Sequence, residues 1–112
     1  MSTKAVIFYE GYEECLELGS DGMPDFVIPH LKAAVAKSGL YPDALFETFD
    51  LLVTQTFNRS GRALGLKPIP PREHTVLSIA EEVAPERYWT HAYMVLKDGR
   101  VVVDSSKIVN LL

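Results

Sequence analysis

The chain has one cysteine, no long apolar run and no surplus of basic charge, and each shortage excludes a class of protein. A lone Cys15 cannot form an internal disulfide framework and is typical of a reducing compartment. No run approaches the roughly 20 apolar residues of a membrane span, and the N-terminal apolar stretch is too short for a signal peptide. A net charge of -4 gives no general attraction to nucleic acid. The sequence therefore predicts a cytoplasmic protein that binds neither membranes nor nucleic acid.

The remaining composition is that of an ordinary globular domain. Hydrophobic residues make up 47% of the chain and charged residues 23%, and 112 residues suffice for one buried core. We expect a single domain over residues 1–112. Neither a metal nor a cofactor is predicted, because no glycine-rich phosphate loop and no closely spaced set of metal ligands is present.

Charge is unevenly distributed along the chain. Residues 5–29 contain no lysine or arginine, whereas the segment from Glu10 to Asp25 is rich in acidic residues and basic residues gather between Arg59 and Arg72. Two interpretations stay open. The acidic segment is either a solvated face that docks near the basic one, or a surface that binds a partner.

Secondary structure is suggested by apolar spacing and by turn residues. Residues 4–9 predict a buried strand, and residues 25–38 predict a helix that ends at Ser38-Gly39. A second helix begins near Pro42 and ends at a glycine after Phe57. The glycine-rich stretch 11–23 is interpreted as a loop with a short helix, and residues 67–71 as a stiff proline-rich connection. Residues 74–80 fit a strand, a short helix, or the two in succession.

The clearest signal is a β-hairpin between Tyr88 and Ser106, in which two β-rich runs flank Asp98-Gly99. Two registers are compatible with this turn. A two-residue turn places Tyr93 opposite Asp104, so that His91 and Asp104 share a face. A three-residue loop with a bulge at Gly99 places Ala92 opposite Asp104 and turns the pair to opposite faces.

Residues His91 to Asp104 resemble the hairpin of transglutaminase-like and papain-like thiol enzymes, in which His-Ala-aromatic opens one strand and Asp closes the next. That resemblance implies a thiol hydrolase or acyl transferase that acts on an amide or ester of a small molecule or peptide. It implies that Cys15 is the nucleophile, His91 its base and Asp104 the group that orients His91. Gln55 is a conceivable oxyanion donor, and Trp89 and Tyr93 are candidate pocket residues.

A second interpretation of the same residues involves no catalysis. Cys15 is then a small buried residue, His91 a strand residue and Asp104 a residue that caps the strand end. Such a protein binds a protein partner through the acidic Glu10 to Asp25 segment or through the apolar C-terminus from Ile108 to Leu112. Both interpretations share one predicted architecture, an α+β fold with two helices packed on a small, mostly antiparallel sheet that ends in the hairpin.

Overall fold

The computed structural model describes residues 4–12, 14–18, 22–57, 63–68, 90–104 and 106–112. Within them lie two helices, α1 (Pro24–Ser38) and α2 (Pro42–Phe57), and six strands. The strands are β1 (Ala5–Tyr9), β2 (Glu14–Leu18), β3 (Ala63–Pro68), β4 (His91–Val95), β5 (Arg100–Val103) and β6 (Lys107–Asn110). The predicted α+β class is confirmed.

The described strands form one sheet in the order β3-β2-β1-β4-β5-β6. Strands β1 and β4 pair in parallel at its centre, with Ala5 opposite His91 and Tyr9 opposite Val95. The other neighbouring strands pair antiparallel, as predicted for a mostly antiparallel sheet. The central pair thus joins the two ends of the chain and places the C-terminal hairpin beside β1.

The hydrophobic core lies between the two helices and one face of the sheet. Every second residue of β1 belongs to it, and from β2 Leu16 and Leu18 do. From α2, the fully buried Leu45, Phe49 and Val53 recur every four residues, which is the spacing of one helix face. Burying a side chain of this size contributes about 1.5–3 kcal/mol. We call the side of the sheet that packs on the helices the helix face, and the other side the far face.

Both helices begin within one residue of the predicted start. Pro24 and Pro42 are the first residues of α1 and α2, positions where proline's missing N–H removes no helical hydrogen bond. Helix α1 ends at Gly39, whose N–H donates to Val35 O at 2.8 Å and whose φ of 75° suits glycine. The short Gly39-Leu40-Tyr41 connection therefore sets α1 and α2 side by side over the sheet.

The prediction for residues 11–23 is wrong at its centre, because β2 occupies Glu14–Leu18 where a loop with a short helix was expected. Cys15, Leu16, Glu17 and Leu18 are all buried, since β2 lies between β1 and β3 and is covered on both faces. A strand that is buried on both faces cannot be recognised by alternating polar and apolar residues. Glu17, 1% exposed, is therefore not part of a solvated acidic face.

The expected stiff connection at residues 67–71 is also partly wrong, because Lys67 and Pro68 end strand β3. Pro68 is tolerated there because it is the last residue of a strand at the edge of the described sheet. The pairing of β2 with β3 places the acidic segment next to part of the basic one, with Cys15 opposite Lys67. The prediction for residues 74–80 lies outside the described residues.

The apolar C-terminus is divided between the core and the surface. Leu111 is buried and its N–H donates to Gly99 O at 2.8 Å, whereas Ile108 and Leu112 are 56% and 76% exposed. Of the described helices, neither is long and apolar enough to cross a bilayer.

Candidate functional site

The hairpin adopts the second of its two possible registers. Val95 pairs with Val101, and Leu96 N–H donates to Arg100 O at 2.7 Å, so Lys97-Asp98-Gly99 is a three-residue loop. Gly99 has a φ of 93°, in the left-handed region that such a loop requires. Continuing this register beyond Tyr93 and Val103 sets Ala92 opposite Asp104.

In a regular strand this register would turn His91 and Asp104 to opposite faces, yet the two side chains meet. His91 Nδ1 lies 2.7 Å from Asp104 Oδ2. The reason is that β5 ends at Val103 and Asp104 has a φ of 52°, in the left-handed region that Asp tolerates better than most residues. The side chain of Asp104 therefore does not follow the alternation of the strand.

The carboxylate of Asp104 is held at both oxygens. Oδ1 accepts a hydrogen bond from Ala92 N–H at 2.8 Å, while Oδ2 contacts His91. The Asp104 N–H in turn donates to Ala92 O at 2.8 Å. This double attachment uses the backbone of Ala92, which residue types alone do not reveal. One sequence signal could have located this attachment. Asp104 directly follows the β-branched run 101–103 and, in the three-residue-loop register, faces Ala92, the residue after His91.

This geometry fixes the orientation of the His91 ring. A carboxylate accepts hydrogen bonds, so Nδ1 is the donor, and in the neutral imidazole Nε2 then carries the lone pair. The His91 and Asp104 side chains are 19% and 29% exposed, so the pair is partly buried and still reachable by solvent. An imidazole that is oriented by a carboxylate and open to solvent is able to accept and return a proton at Nε2.

Tyr93 lies beside the pair on the same strand. Its ring centroid is 6.3 Å from that of His91, and its hydroxyl donates to Gly22 O at 2.6 Å. Burial, followed by the negative charges of Asp104 and Asp25, raises the pKa of Tyr93 well above its ordinary value. Tyr93 is fully buried, so it supports the pair from the core and does not line an open pocket as predicted.

Cys15 does not meet His91 in this structure. His91 lies two and four residues before the core residues Tyr93 and Val95 and so shares the helix face with them, whereas Cys15 directly precedes the core residue Leu16 and so lies on the far face. Strand β1 also separates β2 from β4. Two inter-strand spacings and three residues along the strand put the two Cα atoms roughly 14 Å apart. The thiol is fully buried on its own side of the sheet.

The predictions for the two remaining residues, Gln55 and Trp89, stay untested. Gln55 belongs to α2, and its place in that helix is all that is described. Trp89 lies outside the described residues. The described part of the chain also contains no cluster of histidine, cysteine, aspartate and glutamate side chains able to hold a metal ion.

Comparison of the chain with protein-family models, curated proteins and solved structures gives no match. The resemblance to transglutaminase-like and papain-like enzymes therefore stays a prediction based on the hairpin. Any function has to be argued from the geometry of His91 and Asp104.

Proposed function

We propose that the protein is a small hydrolase in which the His91–Asp104 pair acts as a general base and then as a general acid on an ester or amide. The observation that carries the proposal is the 2.7 Å contact between His91 Nδ1 and Asp104 Oδ2 in a partly exposed setting. Positioned acid–base groups of this kind contribute about 10²–10⁴-fold to a rate.

Water is the nucleophile in this scheme. His91 Nε2 accepts a proton from water as the water oxygen bonds to the carbonyl carbon and the carbonyl π electrons move to its oxygen. The tetrahedral intermediate then expels the alcohol or amine, which takes the proton back from Nε2. Asp104 keeps its charge throughout and stabilises the imidazolium between the two steps.

The thiol version of the proposal uses Cys15 as the nucleophile, with His91 and Asp104 in the same roles. It requires the Cys15 thiol to reach His91 on the helix face. Cys15 lies on the far face, and strand β1 lies between its strand and that of His91. We therefore favour water, and the two versions differ in what happens when Cys15 is replaced or alkylated.

The experiment is a hydrolysis assay with p-nitrophenyl acetate as the probe ester. We expect His91→Gln to lower kcat/KM about 100-fold because it removes the base. Asp104→Asn should lower it about tenfold or more, because the amide no longer supplies the charge that stabilises the imidazolium. Cys15→Ser and prior treatment with iodoacetamide should leave the rate unchanged.

The matched control is His30→Gln on α1, because any accessible imidazole hydrolyses an activated ester slowly. His30 Nδ1 contacts a backbone carbonyl, Phe26 O, at 2.8 Å, where His91 Nδ1 contacts the Asp104 carboxylate. A rate that falls equally in His30→Gln and His91→Gln would contradict the proposal. A rate abolished in Cys15→Ser would replace water with the thiol.

A non-catalytic binding role is the second candidate, and the exposure of Ile108 and Leu112 favours it. Exposed large apolar side chains close to a chain end suit a protein partner. This candidate predicts that none of the histidine variants changes the hydrolysis rate, so the same assay separates the two functions.

A further inference from the structure

A concave site lies at the opposite end of β4 from His91. It is a cleft of about 380 Å³ at the carboxyl ends of the parallel strands β1 and β4, bordered by the start of α2. Its lining comprises Tyr9, Glu10, Gly11, Tyr12, Leu40, Pro42 and Lys97. This volume falls at the lower end of the range of small-molecule pockets, about 300–1,000 Å³. Neither His91 nor Asp104 contributes to it.

The walls of the cleft offer apolar surface, although two of them are tyrosines. The Tyr9 hydroxyl donates to Leu40 O at 2.6 Å, and the Tyr12 hydroxyl donates to Asp43 Oδ1. Both phenol groups are therefore engaged with the protein. Tyr9 is only 4% exposed and offers almost no surface, whereas the Tyr12 ring is half-buried and borders the cleft. Together with Leu40 and Pro42, the Tyr12 ring suits an apolar or aromatic group.

Two opposite charges stand at the same cleft. The Glu10 carboxylate is anchored through Oε1, which accepts from Lys97 N–H at 2.9 Å, and its second oxygen makes no hydrogen bond within the described part of the chain. The Lys97 side chain lies over Gly11, where an added Cβ would come within 3.3 Å of both Cε and Nζ. Among the described residues no carboxylate forms an ion pair with the Lys97 ammonium. The cleft therefore offers both an acceptor and a cation.

We propose that this cleft binds a free amino acid with an apolar or aromatic side chain. Lys97 takes the carboxylate, the second oxygen of Glu10 takes the ammonium, and the side chain packs on Tyr12, Leu40 and Pro42. A zwitterion fits because it offers a carboxylate to the Lys97 ammonium and an ammonium to the Glu10 carboxylate, and a charge-assisted hydrogen bond at each end is stronger than a neutral one.

The test is a titration of the ¹⁵N-labelled protein with L-phenylalanine, followed by NMR. We expect saturable shifts at the amides of Gly11 and Lys97 with a Kd of about 1 mM, as suits a small ligand in an open cleft. Lys97→Gln should weaken binding roughly tenfold because it removes the partner of the carboxylate. Phenylalaninamide, which lacks the carboxylate, should bind the unaltered protein as weakly as L-phenylalanine binds Lys97→Gln.

Lys107→Gln is the matched control, since Lys107 is an exposed lysine on β6, a strand that does not border the cleft. Equal affinities in the two lysine variants would overturn the proposal, as would the absence of saturation up to about 10 mM. His91→Gln should bind L-phenylalanine normally. This result would show that the amino-acid site is independent of the proposed hydrolysis, so that either proposal can be contradicted without the other.

Discussion

The two ends of strand β4 are built differently. At the amino end, His91 and Asp104 are bonded to each other and to the backbone of Ala92. At the carboxyl end, Glu10 and Lys97 stand next to each other without forming an ion pair. At the amino end the polar groups are hydrogen-bonded to one another, and only His91 Nε2 is left for proton transfer. At the carboxyl end the Glu10 and Lys97 charges are still available to a ligand that carries the opposite charges.

The difference predicts where the fold is sensitive to change. Internal hydrogen bonds tie the amino end to stability, because removing one partner leaves the other without its bond. The charges at the carboxyl end are exposed and contribute little to stability. Three measurements of the free energy of unfolding test this contrast.

The largest effect is expected for Asp104→Ala. It removes two hydrogen bonds to the carboxylate and leaves alanine in a left-handed conformation, and together these should cost about 2–3 kcal/mol. Asp104→Gly keeps the loss of the hydrogen bonds but relieves the backbone, so it should be about 1 kcal/mol more stable than Asp104→Ala. Urea denaturation of the two variants measures both parts. Equal stability of the alanine and glycine variants would show that the positive φ of Asp104 carries no strain.

A smaller effect, with a dependence on pH, is expected for Tyr93→Phe. The lost hydrogen bond to Gly22 O should cost about 1–2 kcal/mol near neutral pH. Because burial and nearby carboxylates raise the pKa of Tyr93 in the folded state, its protonated form is favoured by folding. Its contribution to stability is therefore complete below the unfolded pKa of 10.0 and is lost as the pH rises above that value.

The unaltered protein should thus lose stability progressively as the pH rises above 10.0, and Tyr93→Phe should lose less over the same range. Tyr9→Phe provides the comparison at the carboxyl end of β1, where burial and then Glu10 raise the pKa of Tyr9. Because Tyr93 faces two carboxylates as well as deeper burial, its variant should flatten the alkaline limb more than Tyr9→Phe does. An identical alkaline limb in Tyr93→Phe and the unaltered protein would contradict this account.

The smallest effect is expected for Lys97→Gln, whose free energy of unfolding should stay within about 0.5 kcal/mol of the unaltered protein. Lys97 is exposed and its ammonium forms no ion pair among the described residues. A loss as large as that of Asp104→Ala would show that the carboxyl end also holds the fold together, and the contrast between the ends would fail.

The sequence predicted those parts of the fold whose signals are local. The helices were located by apolar residues three and four apart and by prolines at their first turns, and the hairpin by Asp98-Gly99 between β-rich runs. Strand β2 was missed because it is buried on both faces and yet contains Glu17 and Cys15. Its sequence therefore matches neither the pattern of an amphipathic strand nor that of an apolar core strand. Only the pairing of β2 with β1 and β3, which is a property of the tertiary structure, makes it a strand.

The site was predictable in part for a similar reason. His91 and Asp104 were singled out by residue type, and the structure brings them together. The geometry that brings them together was not predicted. The hairpin has the register that would place the two side chains on opposite faces, and the left-handed backbone of Asp104 compensates for it. Whether Cys15 could join them depended on the face of the sheet on which its side chain lies. That face is determined by strand pairings between segments that are distant in the sequence. The cleft at the carboxyl end of β4 was missed because Glu10, Tyr12, Pro42 and Lys97 come from three separate parts of the chain.

The parallel pairing of β1 with β4 also determines the order in which this molecule can be assembled. Residues 5 and 91 are partners at the middle of the sheet, so the centre cannot form until both β1 and β4 have left the ribosome. The contacts between α1 and α2 and those within the hairpin are local and close short loops, whereas the central pair closes a long one. Until that closure β1 and β4 each present an unpaired edge, and aggregation at such edges is a hazard of the growing chain.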